Sequence, residues 1–308
     1  MSWKAFFSIV FSLVAVMLLL FYWVLPLGEI VEFGYLSTSG NTNFTLENGT
    51  SNQNMQFYEN MRYLDKDISY RIDGCPLAKS DEMERAFDWV GGVTILNFHE
   101  TDLDEDISIT CDSSTRFEGR TFVAGEGGVT NVTQSGDFNV IYRGTILLLR
   151  ETKCSNPIVG THELLHALGF EHSANSENIM YPTVNCKQNI SQDMIDYINQ
   201  IYSVQNAPDL LFENASATVQ GNYLSVSMTL RNHGLSESYP ANLIIYANGK
   251  QIEDFEIETI PIGGGRIIEL TNIFLLRSNI EEIELDIVSD SIELDKNNNQ
   301  AVLKIKNI

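Results

Sequence analysis

His162-Glu163-Leu164-Leu165-His166-Ala167-Leu168-Gly169-Phe170-Glu171-His172 places three of the chain's five histidines within one short stretch. On a helix, residues four apart differ by about 40° in direction and about 6 Å in rise, so His162 and His166 can turn two imidazoles toward one ion. Glu163 then lies beside them. A continued helix would carry His172 about 15 Å further along the axis than His162 and aim it elsewhere. Gly169, having no Cβ, can take the positive φ that ends a helix and turns the chain back, which brings His172 to a third ligand position. Three neutral imidazoles leave a tetrahedral zinc with one open position, the pattern of a catalytic ion. A water held there is acidified to a pKa of about 7. Glu163, as general base, is placed to take its proton and hand it to a departing amine, which predicts hydrolysis of a peptide bond.

The pattern H-E-x-x-H-x-x-G-x-x-H resembles that of the metzincin zinc peptidases. Ile179-Met180-Tyr181-Pro182 follows it and resembles the Met-turn of the matrixin branch, and His172-Ser173 also matches that branch. Over about residues 55 to 202 the resemblance implies one catalytic zinc and a twisted mixed sheet. Met180 would lie beneath the metal as a hydrophobic floor, not as a ligand. An antiparallel edge strand over the active-site helix would bind a protein or peptide substrate in extended form. That strand maps to about residues 121 to 128 (TFVAGEGG), with Val123, Ala124 and Gly125 facing substrate and Gly127 and Gly128 permitting close backbone approach.

Departures from the family pattern matter as well. No further histidines suit a structural zinc, and His99 and His233 stand isolated. Tyr181 directly follows Met180, one place before the position of a tyrosine ligand in other branches, and is left out of the ligand set. A surface adhesion or binding protein with a vestigial peptidase domain is the competing class. Such proteins commonly lose the glutamate or a ligand, whereas this chain has both.

Outward from the motif, 308 residues allow two ordinary domains, and 19 Lys plus Arg against 41 Asp plus Glu give a net charge of -22, which excludes nucleic acid as a partner. Residues 5–27 (AFFSIVFSLVAVMLLLFYWVLPL) carry no charge and as a helix would cross the roughly 30 Å hydrocarbon core, so a transmembrane signal anchor is expected there. Lys4 before it and Glu29 and Glu32 after it put the catalytic domain on the extracellular side of a single-pass cell-membrane protein. A cleaved secretory signal is the alternative. Residues 28–54, rich in Gly, Ser, Thr and Asn, read as a flexible stalk.

From residue 55 to 204, strand patterns at Ile68 to Ile72, Thr94 to Phe98, Asp106 to Cys111, Arg120 to Ala124 and Asn139 to Leu149 alternate with helical patterns at Ser80 to Val90 and Ser191 to Tyr202. This predicts an α/β (α+β) zincin-like domain. Four cysteines without C-x-x-C spacing suit disulfides, and of three pairings Cys75 with Cys111 and Cys154 with Cys186 are favoured. Neither the propeptide-like stretch 28–54 nor Cys75 suits a thiol latency switch.

Residues 207–308 show only short alternating runs and turns, predicting an all-β immunoglobulin-like sandwich. Ala207-Pro208-Asp209-Leu210, Thr229 to Gly234 and Asp286 to Leu303 resemble the CARDB domain, which implies a surface ligand for this module. Calcium is considered at Glu100 to Asp106 (ETDLDED) and Asp295 to Asn299 (DKNNN). Both read more simply as a solvated loop and a turn, since neither has the EF-hand spacing.

Overall fold

The computed structural model describes residues 3–24, 30–36, 55–114, 117–118, 121–150, 153–276 and 279–305. Helix α1 (Trp3–Val24) overlaps the uncharged run, and its apolar side chains, Phe6, Phe11 and Leu13 among them, are exposed. Among the described residues, however, no helix is long and apolar enough to cross a membrane, so the transmembrane segment expected at 5–27 is not supported.

The expected stalk also needs correction. Its first part, Ile30–Leu36, is strand β1, hydrogen-bonded along its length in a sheet of the C-terminal domain, with Phe33 in that domain's core. Residues 37–54 lie outside the described residues.

The domain before the linker contributes β2 (Met61–Tyr63), β3 (Asp67–Asp73), α2 (Leu77–Val93), β4 (Asn97–Glu100), β5 (Ile107–Cys111), the short pair β6 (Phe117–Glu118) and β7 (Thr121–Phe122), β8 (Gly125–Ser135), β9 (Phe138–Leu148), α3 (Ile158–Ala167) and α4 (Gln192–Tyr202). Strands β2, β9, β5, β3 and β4 pair in that order, all parallel, and β8 joins antiparallel to β9. The expected strand at Arg120 to Ala124 is divided: Thr121 and Phe122 belong to the short pair and the long edge strand begins at Gly125. Helix α2 begins after Pro76, three residues before the expected Ser80. Its added turn carries Lys79, whose buried ammonium donates to the carbonyls of Asp112, Leu148 and Leu149 where β5 and β9 end.

Alternate β-branched residues of the sheet, Ile68, Ile107, Ile109 and Ile146, pack with Met83, Phe87 and Val90 of α2 and Leu164 and Leu165 of α3 in one core. Each such side chain contributes about 1.5–3 kcal/mol on burial. Disulfides join Cys75 to Cys111 and Cys154 to Cys186, the favoured pairs. The second ties the approach to α3 to the segment after the Met-turn.

The C-terminal domain consists of β10 (Leu210–Gln220), β11 (Tyr223–Asn232), β12 (Ala241–Ala247), β13 (Lys250–Ile257), β14 (Gly265–Phe274), β15 (Glu282–Val288) and β16 (Gln300–Ile305), all antiparallel. With β1 between β16 and β10 they form one eight-stranded path. Inward-facing residues from both ends of that path, such as Leu224, Val226, Leu243 and Leu285, share a single core.

The two domains meet at the tip of the β8–β9 hairpin. Phe138 and Val140 cluster with Leu235, while the Ser135 hydroxyl donates to the Gly234 carbonyl at 2.6 Å and accepts the Gly263 N–H at 3.1 Å. Arg62 fixes the linker by donating to the Ile201 and Val204 carbonyls and to the Asn206 side chain. A chain ending at Gln205 is therefore expected to keep the zinc-site residues in place but to lose about 2–4 kcal/mol of stability, because Phe138 and its neighbours return to water. Urea midpoints of the two forms measure this, and equal stability would show the seam to be idle.

Candidate active site

Helix α3 presents His162 and His166 on one face, as their spacing requires. Gly169 adopts φ +91° directly after the helix, and its N–H donates to the His166 carbonyl at 3.0 Å. A side chain there would also strike Met61, its Cβ lying 2.8 Å from the Met61 Cβ. The reversal brings His172 back to the other two. The three Nε2 atoms stand 3.1 Å (His162 to His166), 3.2 Å (His162 to His172) and 3.2 Å (His166 to His172) apart.

These separations are not hydrogen bonds between rings. His162 Nδ1 faces the Ile179 carbonyl at 2.7 Å, and His166 Nδ1 faces the Phe170 carbonyl at 2.7 Å. A carbonyl only accepts, so each Nδ1 carries the proton and each Nε2 offers a lone pair. Lone pairs converging at this distance repel unless a cation lies between them. The point equidistant from the three nitrogens lies about 1.8 Å from each, so the trio could hold an ion whose bonds to imidazole are about 2.0–2.1 Å. The residues present fit zinc. Burial and neighbouring imidazoles push the His166 pKa down to about 4, and burial lowers that of His162, which keeps both rings neutral as ligands.

The Ile179 and Phe170 carbonyls were invisible to motif reasoning, because backbone atoms leave no mark in residue identity. So was Phe57, which stacks on the His166 ring with centroids 5.9 Å apart. Met180 is buried, its N–H held by Asn178 Oδ1 at 2.7 Å and its carbonyl accepting the Ser173 N–H at 2.9 Å. These bonds clamp the Met-turn to the segment that carries the third histidine.

Glu163, next to His162 on α3, packs against β8. It is 6% exposed, and burial pushes its pKa up to about 8, with the charge of Glu126 adding to the rise and the Gly127 N–H, donated to the carboxylate, opposing it. Close approach depends on absent side chains: a Cβ on Gly125 would lie 2.7 Å from Glu163 Cγ, and one on Gly127 would overlap the Glu163 carbonyl. Gly128, also expected to allow close approach, has open space around it. Val123 and Ala124 precede β8, where the Ala124 carbonyl accepts the N–H groups of Leu149 and Arg150, while Gly125 is the first residue of β8. Among the described residues β8 pairs only with β9, leaving its outer edge facing away from the sheet. His99 and His233 lie outside this constellation.

Three convergent imidazoles near a buried carboxylate, under the edge strand of a mostly parallel sheet, form a site that could hold a single metal ion. Comparison with known proteins gives the family. Residues 62–203 match the Matrixin peptidase family and residues 207–303 the CARDB family. The chain thus contains a stretch that matches the Matrixin family followed by one that matches the CARDB family. Human matrix metalloproteinase-26 is 29% identical over 153 residues, which is 46% of this chain and 58% of that protein. The C-terminal domain is similar to the CARDB domain of a Pyrococcus furiosus protein solved in complex with di-metal ions, at 14% identity and TM-score 0.28, covering 33% of this chain and 96% of that one.

All four cysteines of the sequence are in the two disulfides, so no thiol remains to block a metal. A mercurial thiol reagent is expected to leave peptidase activity of the full chain unchanged. Activation of a silent preparation by the reagent would contradict this and implicate Cys75.

Proposed function

We propose that this protein is a zinc-dependent endopeptidase that acts on extended protein segments in an oxidising, extracellular setting. The observation that carries the reading is the convergence of the His162, His166 and His172 lone pairs beside the buried Glu163 carboxylate. Those three imidazoles would hold the ion. Zinc there supplies Lewis acidity toward a water and toward the scissile carbonyl.

The chain's own groups do the rest. Glu163 accepts one hydrogen bond from Gly127 and has further lone pairs to take a proton from the attacking water. It returns that proton to the amine as the C–N bond breaks, so the leaving group departs neutral. The edge of β8 can add a substrate segment as a further strand, which supplies main-chain affinity and aligns the peptide across α3. The relative's description as a matrix metalloproteinase agrees with a protein substrate.

The oxidising setting rests on the two disulfides, which persist outside the cytosol. Helix α1, with its exposed apolar side chains, is the proposed tether, and alkaline extraction of membranes carrying the full chain tests it: release into the soluble fraction removes the anchor from the reading.

Cleavage of a mixed peptide library tests the activity. Hydrolysis that a chelator stops and added zinc restores is expected. Intact peptides after zinc loading would favour the vestigial, binding-protein reading instead.

A further inference from the structure

A second cluster of oxygen ligands lies in the C-terminal domain, where the segment before β10 meets the turn from β15 to β16. Asp209, Glu293 and Asn299 are 6%, 8% and 4% exposed. The Asn298 amide donates to Asp209 Oδ1 at 2.9 Å, and the Asn299 amide donates to Glu293 Oε1 at 3.2 Å and to the Ile287 carbonyl at 3.3 Å. Leu210 N–H donates to Glu293 Oε2 at 2.9 Å, and Leu294 N–H to the Pro208 carbonyl at 2.9 Å.

These bonds fix which way both amides face. Reversing either would set its oxygen against a carboxylate oxygen. In the fixed orientation the Oδ1 atoms of Asn298 and Asn299 are buried and, among the described residues, meet no donor. An unsatisfied buried oxygen is destabilising, and here two occur in adjacent residues, each on an amide that donates to a buried carboxylate.

Charge points the same way. Asp209 repels both Glu293 and Asp295, with Lys296 as the cation near Glu293 and His233 beside Asp209. Burial raises the pKa of both Asp209 and Glu293, a sign that two negative charges are held out of water without full compensation. Three carboxylates against one lysine leave an excess that a divalent ion would cancel. Oxygen atoms from carboxylates and side-chain amides are the donor set of a hard cation with six to eight ligands, calcium before the smaller and more strictly octahedral magnesium.

We propose that Asp209, Glu293, Asn298 and Asn299 form a calcium site that locks the interdomain linker to the β15–β16 turn. The other acidic run, Glu100 to Asp106, differs in kind. Glu105 is paired with Arg71 at 3.1 Å, Arg143 also reaches Asp104, and Asp106 accepts from Ser69 at 2.7 Å, so three of its five carboxylates are met within the chain.

Calorimetric titration of the chelator-treated full chain with calcium chloride, together with its thermal unfolding, tests the proposal without reference to peptidase activity. One saturable site that raises Tm is expected. Asp209→Asn and the milder Asn298→Ala should each weaken binding by about tenfold or more, and Asp104→Asn should leave it unchanged. Absence of calcium binding up to about millimolar concentration, or binding indifferent to both Asp209→Asn and Asn298→Ala in folded protein, would overturn the assignment.

Discussion

Replacing Glu163 by glutamine is expected to lower kcat on peptide substrates by about 10²–10⁴-fold while zinc content and KM change little. Glutamine has the volume of glutamate, and its amide oxygen can still accept the Gly127 N–H, so the packing of β8 on α3 survives. What it cannot do is take up and release a proton. The histidines that would hold the metal are positioned by the Ile179 and Phe170 carbonyls, which Glu163 does not touch. Turnover in the variant within a few-fold of the parent would remove Glu163 from the proton-transfer role. Loss of zinc along with activity would make it a structural support instead.

Gly127→Val is expected to abolish hydrolysis as well, by a different physical route. A Cβ at this position would overlap the Glu163 backbone carbonyl and lie 2.9 Å from its carbonyl carbon, and neither can yield without moving α3 or β8. Overpacking of this kind costs about 1–3 kcal/mol, and the displacement takes the Gly127 N–H away from the carboxylate. Gly128→Val, one residue along, meets open space and serves as the control. Denaturant midpoints and kcat/KM for the pair should separate sharply. Equal behaviour of the two variants would mean that β8 does not press on the helix as described.

This glycine pair shows how far residue identity carries. TFVAGEGG could be assigned to the substrate-side strand from its place before the zinc helix, and its glycines suggested close approach. Which glycine makes that approach depends on strand register, fixed by Gly127 lying opposite Ile146 on β9, and register is a pairing between distant segments. Local chemistry was legible: the helical spacing of His162 and His166, the reversal at Gly169, and the Cys154–Cys186 pair flanking α3.

Long-range choices were not. Ile30–Leu36 has the β-branched and aromatic content of a strand, but its composition-rich surroundings read as a stalk, and its partners lie at Ala217–Gln220 and Val302–Ile305. Nothing within thirty or so residues of β1 announces that pairing. The seam between domains was hidden for the same reason, since Phe138 looks like any strand residue until Leu235 covers it. A consequence follows for truncation: an isolated C-terminal domain lacking β1 leaves facing edges of β16 and β10 unpaired, so its boundaries by sequence are not its boundaries in space.

The most direct test of the metal centre is the zinc content of the purified full chain after loading and dialysis, measured beside that of His166→Ala. One zinc per chain in the parent, retained in Glu163→Gln and lost in His166→Ala, is the expected result, because three fixed lone pairs require an ion and two do not hold it. A loaded parent chain without zinc, or an unchanged zinc content in His166→Ala, would contradict the three-histidine centre on which the proposed function rests.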